Sequence, residues 1–356
     1  MTEVLIVGAS FAGLAAAREL RGRDVLLVDR SPIGAHQTSA CALPVRLAEW
    51  LGIDAAILHA DARMRVHVGG TRWNVRLPEA FCVIDYARAC HLLAAQGDAR
   101  FAQVRVVGRE GRAVRTADGD ALEADWLLDA SGWRRVLDAA GPTEGRDAAL
   151  VIGTEDHVPI AQAPTADGFG FYLDRALLRS GYGWSFAAGD HVRAGVGSFI
   201  KEPLQGPMAR LRARDRLGAG TEHHGGAIAC VPRPPVADGV LFAGDAAGHA
   251  LPVTLEGIRP AAYFGAGAGR LIARALAGAI TADEARARYA ALHAAHLGGY
   301  RRLNQVQRWY RWLPEPLLRR LVTRGIGQPT HGDDEVAFRS TRYLDVLRAE
   351  ALPAIP

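Results

Sequence analysis

The chain has 356 residues, of which 49% are apolar and 22% charged, with a formal net charge of +4. This length and apolar share suit a soluble globular protein with a sizeable core, built as one large domain with an appended lobe or as two domains. Lys201 is the single lysine, so 41 of the 42 basic residues are arginine, and they alternate with acids along the chain; the basic pI therefore argues for no nucleic-acid partner.

Cys41, Cys82, Cys90 and Cys230 form no C-x-x-C pair and no metal-ligand spacing. The sequence opens directly into an apolar run without a signal peptide, and no run approaches the roughly 18 residues of a spanning helix. A reducing cytoplasm is the expected compartment.

Residues 4–7 form a short apolar, β-branched strand. Gly8, Ser10 and Gly13 follow at G-x-S-x-x-G spacing, and a small-residue helix begins near Ala12. Val25 to Val28 form a second strand ending in Asp29. Gly8 permits the sharp turn, a small Ser10 lets backbone approach a pyrophosphate, and Gly13 lets helix and sheet pack closely. The helix N-terminus offers N–H groups to the anion, and Asp29 suits a ribose diol. A helix is expected over 45–51, a β-hairpin over 64–75 around Gly69-Gly70, and a helix over 86–95. Strands are expected over 101–116 and 121–129, the latter running into DASGW.

From 151 to 236 the chain reads as strand-rich, with little helical period. Val240 to Gly248 returns to a buried strand and glycine turn. Arg259 to Ala277 reads as a helix of small residues, and Thr281-Ala-Asp-Glu284 is a capping box opening another. Pro314 and Pro316 divide 300–324 into two short helices that mix Trp309, Trp312 and leucines with arginines. The stretch after Arg324 is loop-like. Arginine with aromatics suits an anionic membrane surface, or else a helical lobe covering the core. His223-His224, His293 and His296 lack carboxylate partners at metal spacing, so they are read as structural and no metal is expected. The two nucleotide-type segments flank the strand-rich stretch, which points to a β-rich lobe inserted into a discontinuous nucleotide domain.

Five segments together resemble the geranylgeranyl reductase family, a branch of the group that contains the FAD-dependent aromatic hydroxylases. They are VGASFAGLAAA (7–17), HQTSAC (36–41), DASGW (129–133), GYGWSF (181–186) and GDAAGHALPVTLEGI (244–258). The resemblance covers roughly residues 2–300. It implies an α/β fold: a discontinuous, doubly wound FAD-binding domain (1–45, 85–150, 237–280), an inserted β-rich substrate domain (46–84, 151–236) and a C-terminal helical region (281–356). It implies non-covalent FAD, with NAD(P)H as electron donor, and hydride transfer from flavin N5 to an alkene of a polyprenyl chain. The partner is then a hydrophobic or lipid substrate, with peripheral membrane contact.

The cofactor-binding set implied is Gly8, Ser10, Phe11, Ala12, Gly13, Asp29, Arg30, Ser39, Ala40, Ser131, Gly132, Gly244, Asp245, Gly257 and Ile258. Asp245 suits a ribityl hydroxyl, and the helix start near Gly257 suits negative charge on the flavin ring. Tyr182, Trp184 and Phe186 alternate onto one face of a strand, as an aromatic substrate wall or as plain core. Cys41, in the loop that the resemblance sets beside the flavin, is the catalytic candidate, as proton donor or redox sensor, against the reading of a small packing residue. His36 is read as a surface cap. Three departures from the family stand out: Tyr86 where an arginine is common, Leu255 where a glycine is common, and Ala187 where a proline is usual. An FAD monooxygenase shares every cofactor motif and is the alternative enzyme; a non-catalytic flavin-binding redox sensor is the alternative outside catalysis.

Overall fold

The computed structural model describes residues 2–142, 150–164, 168–331 and 334–337. Residues 143–149 of the expected cofactor domain and 338–356 of the expected C-terminal region lie outside that description.

The chain starts as β1 (Thr2–Val7), α1 (Phe11–Glu19) and β2 (Val25–Asp29), close to the expected limits. It then runs through β3 (Ala42–Pro44) and α2 (Val45–Leu51) into a long hairpin, β4 (Ile57–Val68) and β5 (Thr71–Ile84). Gly69 and Gly70, both at positive φ, make its turn; only glycine adopts two such residues in succession without strain. α3 (Tyr86–Ala94) is capped by Asp85, which accepts from the Arg88 N–H at 2.9 Å. Instead of one strand over 101–116 the chain forms β6 (Arg100–Gln103), β7 (Val106–Glu110) and β8 (Ala113–Thr116), then β9 (Ala121–Leu122) and β10 (Ala124–Asp129). Gly111 at positive φ provides the turn that breaks the run.

The strand-rich stretch is β11 (Leu150–Pro159), β12 (Phe169–Tyr172), β13 (Gly181–Ala188), β14 (His191–Ser198) and β15 (Glu222–Ala229). It also holds α4 (Gln205–Asp215), which corrects the expectation of little helix there. Its weak sequence period has a cause: α4 buries little more than Pro207, Met208 and Leu211, and arginines fill the rest. The chain closes with β16 (Val236–Ala237), β17 (Val240–Phe242), α5 (Ile258–Leu276), α6 (Ala282–Tyr310), α7 (Glu315–Gly325) and β18 (Val336–Ala337). The capping box forms: Thr281 Oγ1 accepts from the Glu284 N–H and Glu284 from the Thr281 N–H. No proline follows it until Pro314, and the helix carries on through Gly298-Gly299. The helix therefore runs 29 residues, and Tyr300 to Tyr310 is its last third rather than a short helix.

Two large sheets result. In the first, of order β16-β17-β10-β1-β2-β6, the strands β17, β10, β1, β2 and β6 are parallel. One face buries Val4, Ile6 and Leu27 against α1, α3 and α5. The other buries Leu5, Val7 and Val28 under a small sheet of β7, β8 and β9, where Val114 joins the core. The second sheet has nine strands, ordered β15-β11-β14-β13-β12-β4-β5-β18 with β3 beside β5. α4 covers one of its faces through Met208 and Leu211. The other face carries aromatic rings.

Candidate active site

Three remote segments meet at the C-terminal ends of adjacent parallel strands, where ligands bind in open α/β sheets. β1 pairs with β10 and β10 with β17, so the Gly8 turn, DASGW and the Gly244 turn end side by side. Ala130 N–H donates to Val7 O at 2.7 Å and Ala243 N–H to Asp129 O at 3.0 Å. The approach leaves no room for side chains. A Cβ at Gly8 (φ +112°) would lie 2.2 Å from Ala130 O, and one at Gly13 would lie 1.9 Å from Gly8 O.

The polar groups around these turns are organised by residues outside the expected set. Asp129 is fully buried and accepts from the Ser131 N–H (2.9 Å), the Ser131 hydroxyl (2.6 Å) and the Leu137 N–H (2.7 Å). Burial pushes its carboxyl up, and those donors pull against the rise. Arg135 donates to Pro234 O and Ala246 O, and Arg233 donates to Trp133 O and the Asp245 carbonyl. These two guanidiniums staple the second segment to the third. Nothing in the local sequence around either arginine signals this, because the carbonyls they join lie about a hundred residues away or across a turn.

Asp29 accepts from the Ala9 N–H at 2.8 Å and the Ser31 N–H at 3.0 Å. Its neighbour Arg30 is exposed. Ser10, the N-cap of α1, makes no side-chain cap; its hydroxyl meets Tyr86 OH at 3.0 Å. Phe11, Ala12 and Gly13 are buried in the first turn of α1, and Gly132 (φ +82°) opens onto empty space. Asp245 is half-buried and takes one long hydrogen bond, from the Ala229 N–H at 3.4 Å. Burial lifts its carboxyl to about 6, against the pull of that N–H and of Arg233.

Gly257 is the N-cap of α5, and a Cβ there would meet nothing within 4 Å; Ile258 begins the helix. Leu255 (φ +57°) and Val253 (φ +73°) hold left-handed backbone in the loop before it. Leu255 thus holds a backbone conformation that favours glycine, at a cost of order 1–2 kcal/mol. The Gln307 side chain of α6 accepts the Val253 N–H at 2.7 Å, and Tyr300 OH donates to His249 O, which helps fix that loop.

The aromatic face adjoins this loop. Tyr182, Trp184 and Phe186 fall on one face of β13 and pack with Phe169, Phe171, Phe199 and Leu255. Tyr182 OH donates to Thr254 O, tying the rings to the segment that leads into α5. Trp184 packs against Gly195 and donates its indole N–H to Glu155 Oε2 at 2.6 Å. On the far side, Ala40 and Ala42 pack against the same ring cluster. Arg193 donates to Ala40 O at 3.2 Å, and Ser39 Oγ accepts the Cys41 N–H at 3.0 Å. Cys41 is 0% exposed at φ +56°, and its thiol donates to Ser39 O at 3.2 Å. Burial pushes the thiol up to about 11, with Arg193 pulling the other way, so it is neutral and holds its proton. His36 is exposed in the same loop, and Arg88 is exposed on α3.

The histidine pairs divide. His293 Nδ1 lies 3.0 Å from His249 Nε2, and His296 Nε2 lies 3.1 Å from Tyr263 OH, inside the helical packing. His223 and His224 do have carboxylate partners, which corrects the sequence reading. His223 Nδ1 sits 2.7 Å from Asp156 and His224 Nε2 3.1 Å from Glu155, both supplied by the neighbouring strand β11.

The fold is the one shared by FAD-dependent reductases, monooxygenases and halogenases. A geranylgeranyl bacteriochlorophyll reductase-like protein from Thermoplasma acidophilum superposes with a TM-score of 0.79 at 19% identity, covering 98% of this chain and 95% of that one. A flavin-dependent brominase superposes at 0.69 with 15% identity, covering 91% and 90%. In sequence the chain is similar to proteins named geranylgeranyl reductases. It is 28% identical over 314 residues to digeranylgeranylglycerophospholipid reductase 1 of Methanopyrus kandleri, spanning 77% of this chain and 81% of that protein. It is 33% identical over 186 residues to the chloroplastic geranylgeranyl diphosphate reductase of Oryza sativa subsp. japonica, spanning 48% and 36%. No protein-family model matches the chain.

Proposed function

We propose that this chain is an FAD-dependent reductase that saturates C=C bonds of a geranylgeranyl-type lipid, taking electrons from NAD(P)H. The observation that carries the proposal is the junction of two features: the Gly8, DASGW and Gly244 cradle, and an aromatic wall joined to it through Tyr182 and Thr254.

The residues present fit FAD. The backbone contacts that Gly8 and Gly13 permit, to Ala130 and to Gly8 itself, form the tight turn that leads into the α1 N-terminus, where a pyrophosphate would be favoured. Asp29 suits a ribose, and the weakly partnered carboxylate of Asp245 suits a ribityl hydroxyl. The 19-residue α5 directs its N-terminus at the cradle, where it favours negative charge. When bound and reduced, FAD supplies a hydride to one alkene carbon. Cys41 Sγ holds the proton that the other carbon takes. Tyr182, Trp184 and Phe186 orient the prenyl chain and exclude water.

The lipid arrives from a membrane surface. Trp309 and Trp312 are 66% and 69% exposed, Leu317 and Leu321 are exposed beside them, and arginines flank them all. Aromatic and basic side chains mixed in this way suit an anionic bilayer. Among the described residues no helix is long and apolar enough to cross a membrane.

The test is anaerobic. Reduced holoprotein is mixed with a geranylgeranyl lipid, and the flavin absorbance is followed. Rapid reoxidation with a saturated product by mass spectrometry is expected. A flavin that stays reduced until oxygen is admitted overturns the reductase reading in favour of a monooxygenase. Flotation with anionic vesicles, and its loss in the Trp309→Ser, Trp312→Ser variant, tests the membrane contact.

A further inference from the structure

We propose that Glu155, His157 and His224 form a divalent-metal site of zinc-type chemistry at the edge of the aromatic face. Strand pairing builds it. Glu155 and His157 stand two apart on β11, hence on one face, and His224 of β15 is the register partner of Glu155. Glu155 Oε1, His157 Nε2 and the ligand nitrogen of His224 all lie within 4.8 Å of one another. Two imidazoles and a carboxylate are the donor set of an open zinc site, whose tetrahedral ligand atoms stand roughly 3.4 Å apart.

A second observation points to a ligand. Glu155 Oε1 is 3.1 Å from His224 Nε2 and 3.6 Å from His157 Nε2. Yet Glu155 Oε1 and His157 Nε2, on residues only 2% and 8% exposed, make no hydrogen bond. The atoms are close without being aimed along an N–H axis, as donors facing a shared cation are. Unsatisfied buried polar groups of this kind are costly, about 1–3 kcal/mol each.

The surrounding contacts match those that orient metal ligands. His157 Nδ1 is 3.2 Å from the Glu222 carboxylate, which fixes the ring so that Nε2 faces the site. Glu155 Oε2 is held by the Trp184 indole at 2.6 Å, leaving Oε1 for the cation. Arg193, the cross-strand partner of His157, balances the Glu155 charge and donates to Ala40 O. A cation here would compete with that guanidinium. His224 is partly exposed, and its Nε2 lies 3.4 Å from the Gln37 amide of the loop that carries Cys41. The site would thus set the orientation of Trp184 and of that loop together.

The experiment uses the full holoprotein, stripped with chelator and titrated with Co(II) and with Zn(II), while flavin content is recorded independently from its own absorbance. One equivalent per chain is expected, with the intense visible bands of low-coordinate Co(II) and their displacement by Zn(II). The buried-ligand variant His157→Gln and the more exposed His224→Gln should abolish the bands. Glu222→Gln, on an exposed side chain, should weaken affinity about tenfold. Retained flavin and an unchanged circular dichroism spectrum show that each variant is folded. Failure of the folded wild type to bind one equivalent, or equal binding by folded His224→Gln, overturns the proposal and leaves the triad as an ion-pair cluster.

Discussion

Replacing Gly195 by alanine should unseat Trp184. A Cβ built at Gly195 lies 2.3 Å from Trp184 Cζ2, 2.5 Å from Cε2 and 2.6 Å from Thr154 O. Real Cβ atoms do not come this close, so either the indole or the sheet must shift. If the indole moves, its 2.6 Å bond to the buried Glu155 carboxylate breaks. Overpacking costs about 1–3 kcal/mol. Loss of a hydrogen bond to a charged acceptor adds about 1.5–3 kcal/mol, and the two overlap, so a destabilisation of about 2–4 kcal/mol is expected. Urea midpoints of the wild type, Gly195→Ala, Trp184→Phe and the double variant measure it as a thermodynamic cycle. Phenylalanine relieves the ring clash but not the contact with Thr154 O, so the rescue should be partial, with a coupling above about 1 kcal/mol. Additive single effects, within about 0.5 kcal/mol, would refute the idea that Gly195 exists to let the indole reach Glu155.

Gly13→Ala places a methyl 1.9 Å from Gly8 O, and the purified variant should carry no flavin, as its absorbance spectrum will report. All four cysteines are free and buried, so Ellman's reagent should find no fast-reacting thiol in the native chain and four after denaturation; a fast native thiol would contradict the burial of Cys41. The folded pKa of Asp245 is raised from 3.8 to about 6, so its protonated form is favoured in the flavin-free fold. That contribution is fully present below about pH 4 and is lost as pH rises through about 6, by no more than about 3 kcal/mol. The difference in urea midpoint between wild type and Asp245→Asn should follow this curve; a difference flat in pH would show that Asp245 does not titrate there.

The local code was legible. Val4 to Asp29 specify strand, turn, helix, strand and acid through residues that are neighbours in sequence, and Thr281 with Glu284 caps its helix by a contact three residues long. Alternation alone predicts Tyr182, Trp184 and Phe186 on one face, because the period of a strand is two. α4 was missed because its arginines hide the short apolar stripe. Pro314 and Pro316 do mark the break between α6 and α7, but nothing local shows that 300–310 continues the helix opened at Thr281, across Gly298-Gly299.

What the sequence could not reveal is what depends on register. Glu155 meets His224 across 69 residues only because β11 and β15 pair in one alignment, and a slip of one residue would turn every side chain to the other face. Arg135 and Arg233 join DASGW to the Gly244 turn only because β10 and β17 are neighbours. Motif chemistry is written in short-range spacing, so the chain alone determines each turn of the cradle, while strand pairing brings the three turns together. Charge partners across strands are chosen by long-range pairing, so only the tertiary structure decides which carboxylate each histidine receives.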